Sequence, residues 1–289
     1  MTCTPPPRYQ WPQGKRCAVV FSADVDAESP FLWNNRGKTV TTLGELEQRR
    51  FGPRVGVWRM LDLLDEFDAK ASFYVPGIVA ETYPELLPAF RTRGHEIGLH
   101  GYHHERVDQV SDADSASILD RSIALFKAQT GEVPVGYRSP SWEMTPIMVT
   151  LLRDRGIIYD SSLMGYDHPY TIGGLTEVPV QWLIDDAIYF KFVGGGSDRW
   201  PPVNPAAVLE SWLEEWRAVR DYGGLFMITT HPWISGRGQR IRLLRELFRH
   251  IRAESGVWWT TAREIAAYHA ASPNAALFET PVRLANTQF

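Results

Sequence analysis

Apolar side chains recur along this chain with two distinct periods. Val57, Met60, Leu61, Leu64 and Phe67 stand at offsets 0, 3, 4, 7 and 10, which is one face of a helix. Leu209, Trp212, Leu213, Trp216 and Val219 repeat those offsets, Ile241, Leu244, Phe248 and Ile251 mark a third helix, and Leu119, Ile123 and Phe126 a weaker fourth. These stripes read as faces packed on a core. Between them lie short apolar or β-branched runs at residues 17–23, 71–75, 96–100, 156–159, 178–180 and 225–230. Short runs that are apolar almost throughout suit strands buried on both faces, as in a parallel sheet. Strand and helix alternate along the whole chain, so the expected fold class is α/β, a barrel or doubly wound sheet with its site at the strand C-terminal ends. The connection over residues 27–54 is too long for an ordinary βα loop and carries Trp33, Arg36 and Arg54. Loops of that length are usually lids, binding loops or contacts between subunits.

Composition narrows the class of partner. With 289 residues, 44% of them hydrophobic and 22% charged, one large core is expected. A net charge of −4 with scattered Lys and Arg gives no basic stripe to neutralise phosphates, so nucleic acid is not an expected partner. Cys3 and Cys17 are the cysteines, and they read as reduced thiols rather than a disulfide framework. No basic stretch followed by an apolar one opens the chain, and no 18 apolar residues run together, so a cytoplasmic protein without membrane contact is expected. Residues 1–16 read as a flexible leader before a single domain over residues 17–289.

Four blocks carry candidate chemistry. The run Phe21-Ser22-Ala23-Asp24-Val25-Asp26 ends an apolar strand with two carboxylates on one side of an extended backbone. Either the strand simply ends in solvent, or the pair faces a cation. In Leu99-His100-Gly101-Tyr102-His103-His104-Glu105, His100 and His104 are four apart, which on one helical turn would let them converge on one ion; His103 falls off that face. Gly136-Tyr137-Arg138-Ser139-Pro140-Ser141-Trp142 sets an Arg in a Pro-stiffened turn, suited to orienting a carboxylate or else lying on the surface. Leu225 to Thr230 runs into His231-Pro232-Trp233, placing a His at a strand end, where barrel enzymes keep catalytic groups and where a structural His is also common. His95, His168, His250 and His269 have no such setting. Residues 194–196, all Gly, lack the following Lys and helix of a phosphate loop.

In this order the four blocks resemble the polysaccharide deacetylase (NodB-homology) family, also called carbohydrate esterase family four, over about residues 17–260. The resemblance implies an irregular (β/α)7 barrel, Asp24 as base, Asp26, His100 and His104 as metal ligands, Arg138 and Pro140 as the Arg-x-Pro motif, and His231 as acid. Pro140 and Trp142 are expected against the substrate, and Asp185, in Trp182-Leu183-Ile184-Asp185-Asp186, is expected to partner His231, with its neighbour Asp186 as the alternative. The implied cofactor is a divalent metal, zinc first, with cobalt or manganese as alternatives. Val25 separates the two aspartates and Gly101 replaces the hydroxyl residue usual after the first ligand His. These departures are similar to the branch with allantoinase-like proteins, cyclic imide hydrolases and peptidoglycan-deacetylase-like proteins. They imply a small amide or imide substrate and a homo-oligomer. The alternatives are an N-deacetylase of polysaccharide or peptidoglycan, a metal-free allantoinase-like hydrolase, and an inactive ligand-binding barrel.

Overall fold

The computed structural model describes residues 7–284 except Gly195, Ser197 and Arg199. Its centre is a curled parallel sheet. The strands are β1 (Cys17–Asp24), β2 (Ala71–Val75), β3 (Glu96–Leu99), β4 (Gly136–Tyr137), β5 (Tyr159–Asp160), β6 (Tyr170–Ile172), β7 (Leu175–Glu177), β8 (Leu225–Thr230), β9 (Val257–Trp259) and β10 (Glu279–Thr280). Along the path β7-β5-β4-β3-β2-β1-β8 every pairing is parallel. These seven strands are the barrel staves expected of the (β/α)7 class. β9 adds beside the first half of β1, and β6 and β10 extend the far edge, β6 as an antiparallel hairpin with β7.

The barrel is irregular because β7 and β8 do not pair directly. Instead the chain after β7 crosses the gap. Asp185 forms a lone parallel bridge with Thr229, and the Asp186 N–H donates to the Thr229 carbonyl at 3.1 Å. The crossing brings both aspartates to the C-terminal end of β8, next to His231.

The four predicted helices form as Val57–Glu66, Asp112–Thr130, Pro205–Tyr222 and Gly238–Arg252, with Met60, Leu61, Trp212, Trp216, Leu244 and Phe248 turned into the core. Two strand expectations shift. Gly156, at φ +74°, closes the preceding helix, so only Tyr159 and Asp160 remain in the ladder. The run 178–180 is extended, and the Val178 and Val180 N–H groups reach the Asp160 and Leu163 carbonyls, yet the strand is Leu175–Glu177. Pro179 has no N–H to continue the ladder.

Two further expectations change. Residues 27–54 hold two helices, Ser29–Asn34 and Gly44–Phe51, and a π-helical turn at Gly52–Gly56 that runs into the helix Val57–Glu66. This insert lies tightly on the turn after β8: a Cβ on Gly56 would be 2.1 Å from the Pro232 carbonyl oxygen, and one on Gly52 3.0 Å from the Trp233 nitrogen. The second half of the expected flexible leader is packed. Tyr9 and Trp11 are buried, the Trp11 indole N–H donates to the Gly223 carbonyl at 2.7 Å, and Tyr9 stacks on His168 and Phe278. Burying two aromatic rings outweighs the freedom a Pro-rich segment would otherwise keep. Cys17 is a buried free thiol, pushed up to about 11 chiefly by burial, whereas Cys3 lies outside the described residues, as does Gly195 of the triple-Gly run.

Candidate active site and metal centre

β1 carries Asp24 to the open end of the barrel, and the Val25 N–H still pairs with the Tyr74 carbonyl, so Asp26 emerges one step beyond on the same side. Both carboxyls line one cavity. Asp24 Oδ1 accepts from the Arg138 guanidinium at 2.7 Å. Arg138 is wholly buried, donates also to the Ser22 hydroxyl and to the Ser161 carbonyl and hydroxyl, and lies 4.0 Å over the Tyr74 ring. Burial opposes its charge, but Asp24 outweighs that and holds the guanidinium protonated. Of the two sequence readings for Arg138, orientation of a carboxylate is the one the contacts match.

His100, His104 and Asp26 come together, though not on a helical turn. His100 follows β3, and the loop then turns through Gly101 at φ +67° and His104 at φ +62°. Glu105 holds this loop, accepting from the Tyr102 and His103 N–H groups at 2.9 and 2.6 Å. A Cβ on Gly101 would stand 2.8 Å from Glu105 Oε1 and 3.1 Å from Pro140 Cγ, which is why glycine occupies the place of a hydroxyl residue. His100 Nε2 is 3.3 Å from Asp26 Oδ1 and His104 Nε2 is 3.6 Å from Asp26 Oδ2. The Arg138 carbonyl lies 2.8 Å from His100 Nδ1; since a carbonyl only accepts, Nδ1 carries the proton and Nε2 is left as a lone-pair donor.

These three side chains fit a divalent ion. Their donor atoms lie within 4.8 Å of one another, and Asp26 Oδ1 is buried with no hydrogen-bond donor. Two imidazole nitrogens and a carboxylate oxygen form a three-ligand set of the kind catalytic zinc sites use. Burial pushes the Asp26 carboxyl up, but His104, His100 and His231 outweigh it and hold the group well below the usual carboxylate range. Burial takes His104 down to about 4 against the pull of Asp26, which keeps its ring neutral and able to ligate.

His231 stands across from this cluster, its Nε2 3.7 Å from Asp26 Oδ2. Asp186, rather than Asp185, is its partner: Asp186 Oδ1 lies 2.6 Å from His231 Nδ1, and Oδ2 accepts the His231 backbone N–H at 2.9 Å. Asp185 turns the other way, accepting the Ala187 N–H at 2.6 Å while lining the cavity. Asp185 is extended and Asp186 turns into the next short helix, so the two successive side chains leave the backbone in different directions and one of them meets the ring. Burial opposes charge on His231, but Asp186 and Asp185 raise it to about 10, and burial pushes Asp185 up to about 7.

The cavity holding these groups has a volume of about 210 Å³. Pro30 and Arg49 from the insert form one wall, Trp142 and Trp182 another. The two indoles lie against each other, tilted by 34° with centroids 4.2 Å apart, and Trp182 is 45% exposed. Trp142 therefore faces the cavity. Pro140 does not; it is buried against the Gly101 turn, where its ring stiffens the backbone that places Ser141 and Trp142 at positive φ. Glu105, Arg49 and Trp182 are not singled out by the sequence reading, and Asp186 is there only as the alternative to Asp185. Asp186 had a visible signal in its neighbour Asp185, whereas Arg49 reaches the cavity only because of a helix that no apolar stripe announces.

Comparison with known proteins agrees with this architecture. The family profile "Polysaccharide deacetylase" matches residues 51–159, which include His100, His104 and Arg138. A peptidoglycan deacetylase of Helicobacter pylori is 29% identical, over 87% of this chain and 96% of its own. A solved structure described as a putative polysaccharide deacetylase from Mycobacterium smegmatis is 38% identical, covers 99% of each chain and superposes with a TM-score of 0.88. The Puue allantoinase structure, at 21% identity, 93% and 95% coverage and a TM-score of 0.80, shares the fold. On the strength of the full-length match at 38% identity, this chain belongs to the polysaccharide deacetylase family, hydrolases of carbon–nitrogen bonds other than peptide bonds.

Proposed function

We propose that the chain hydrolyses the amide or cyclic amide bond of a compact substrate with a divalent metal, zinc before cobalt or manganese, held by Asp26, His100 and His104. A bound ion of this kind supplies Lewis acidity to water and to the scissile carbonyl. Asp24, held by Arg138, takes the proton from the attacking water. His231, held by Asp186, gives a proton to the departing nitrogen, which leaves poorly as an anion. The observation that carries the size of the substrate is the cavity of about 210 Å³, walled by Pro30 and Arg49 of the insert. That is below the usual 300–1,000 Å³ of ligand pockets and suits an acyl group with little more than one ring.

A second reading, removal of the N-acetyl group from a sugar of a polysaccharide or peptidoglycan, is favoured by the similarity to the H. pylori protein. It is also favoured by an adjoining cavity of about 610 Å³ that shares Arg49, Ala187 and Lys191 with the first. Metal-loaded protein assayed on cyclic imides, ureides, acetylated amines and acetylated sugar oligomers separates the two. A kcat/KM that climbs with oligomer length, together with no turnover of small amides, would replace the first reading by the second. The small-substrate reading goes with a cytoplasmic homo-oligomer, which exposed apolar side chains on or beside the insert, Leu32, Leu43 and Trp200, support as candidates for burial against a second copy. Size-exclusion chromatography with light scattering tests that. Among the described residues no helix is long and apolar enough to cross a membrane.

A further inference from the structure

Behind Arg138 lies a second pair of acids that the proposed chemistry does not use. Asp160 ends β5, Glu177 ends β7, and the two are register partners on neighbouring parallel strands, so their side chains leave the sheet on the same face. Both are buried, at 1% and 0% exposure. One oxygen of each is occupied by the same residue: the Ser162 hydroxyl donates to Asp160 Oδ1 at 2.7 Å, and the Ser162 N–H donates to Glu177 Oε1 at 2.8 Å, joined there by the Leu163 N–H at 2.9 Å. The other oxygens, Asp160 Oδ2 and Glu177 Oε2, have no N–H or O–H partner, and the register sets the two carboxyls side by side.

Two neighbouring carboxylates buried to this extent are not both ionised; one proton between them turns a repulsion into a hydrogen bond. The nearby cation favours charge on Asp160 but does not replace the shared proton, because the Arg138 charge is matched by Asp24 and four of its five N–H groups donate to Ser22, Asp24 and Ser161. The other titratable groups that feel the pair are the phenols of Tyr137 on β4 and Tyr170 on β6. Burial raises both acids, Glu177 well above its ordinary range.

The pair is joined to the active site through a short path. Ser162, gripped by both acids, also accepts the Ser139 N–H at 2.8 Å, and Ser161 beside it receives Arg138 Nε and Nη2 at 3.0 and 2.9 Å. Arg138 in turn holds Asp24. We propose that Asp160 and Glu177 share a single proton between Asp160 Oδ2 and Glu177 Oε2 and serve as positioning residues, fixing the Ser161–Ser162 turn that aims Arg138 at Asp24. The role rests on the reading of Asp24 as the base; the shared proton does not.

Two measurements test it. The infrared spectrum of the wild-type protein at pH 8 should contain the carbonyl stretch of a protonated carboxylic acid that disappears in Glu177→Gln, because the Gln amide then donates to an ionised Asp160; Glu96 and Asp185 contribute equally to both spectra and cancel in the difference. In the metal-loaded enzyme, Glu177→Leu should lower kcat by roughly 10- to 100-fold through misplacement of Arg138, with KM little changed, and Glu177→Gln should restore most of it. A wild-type spectrum without that band, or a Gln variant no more active than the Leu variant, overturns the proposal, and if Glu177→Leu fails to fold the infrared comparison decides alone. Should Asp24→Asn prove active while the band is present, the base assignment fails and the shared proton stands.

Discussion

Asp186 holds His231 at two points, with Oδ1 2.6 Å from the ring Nδ1 and Oδ2 2.9 Å from the backbone nitrogen of the same residue. The double contact fixes the ring plane and the tautomer together, and against the pull of burial its negative charge is the largest of those, Asp185 and Asp26 among them, that raise the imidazole to about 10. Asp186→Asn keeps the backbone contact through its amide oxygen but presents a donor, or a weaker acceptor, to Nδ1. The expected outcome is a fall in kcat of roughly 10²- to 10⁴-fold, the range for loss of acid–base function. Asp185→Asn should cost less than tenfold, since its contact is the Ala187 N–H. Steady-state kinetics of both variants decide which aspartate serves the acid, and the reverse order of effects would sink this assignment.

The proposed ligand set gives a second expectation, read by elemental analysis rather than by turnover. His104→Ala should lose most of the bound divalent ion, because His100 and Asp26 alone leave a two-ligand site. Asp24→Asn should retain the ion and lose activity, since Asp24 points its Oδ1 to Arg138. Loss of metal in Asp24→Asn would mean that the roles of Asp24 and Asp26 are exchanged.

Much of this arrangement is legible in the sequence, and the parts that are not have identifiable causes. Buried strands and amphipathic helices announce themselves by period, so β1, β2 and β8 and the four long helices lie where the apolar residues put them. The chemical residues stand at strand ends, where a polar side chain interrupts an apolar run. What period cannot convey is direction in irregular backbone. His100 and His104 converge through two left-handed residues rather than a helical turn, and Asp186 rather than Asp185 meets His231 because of a lone bridge to Thr229. The insert is helical although its short helices are rich in charge, since its burial comes from docking on the His231 turn instead of from a stripe of its own.

His95 offers a prediction about stability away from the site. Both of its ring nitrogens are buried without a partner, it sits edge-on to Phe73 at 5.3 Å, and a cavity of about 50 Å³ adjoins it. Burial, with Lys70 assisting and Asp65 opposing, lowers it to about 4. The unfolded chain takes up this proton near pH 6.5 and the folded chain only near pH 4. The contribution to stability is therefore intact above pH 6.5 and lost as the pH falls toward 4. His95→Phe removes two unpaired polar atoms and has room for the larger ring, so it should raise the melting temperature at pH 8 and raise it more at pH 5. An equal gain at both pH values, followed by thermal unfolding, would show that His95 does not titrate in this window.

The close seat of the insert on the turn after β8 leads to the last prediction. Gly56 packs so near Pro232 that a Cβ would stand 2.1 Å from the carbonyl oxygen and 2.8 Å from the carbonyl carbon, both of them backbone atoms that cannot swing aside as a flexible side chain would. Gly236 closes the same contact from the other side, its own virtual Cβ falling 2.3 Å from the Gly56 Cα. Gly56→Ala must therefore push the insert and the turn apart. Overpacking of a close contact costs about 1–3 kcal/mol, which a denaturant titration resolves. The displaced groups are Pro232 and, through it, His231 and Trp233, while Arg49, which lies 4.7 Å over the Trp233 ring, moves with the insert wall. kcat should fall because the acid is misaligned, and KM should rise because the wall is opened. Metal content should change little, since Asp26, His100 and His104 are carried by the segment just after β1 and the loop after β3, and none of them lies at the Gly56–Pro232–Gly236 contact itself. A Gly56→Ala protein as stable as the parent, with unaltered kinetics, would mean that the insert is not seated on the His231 turn as described.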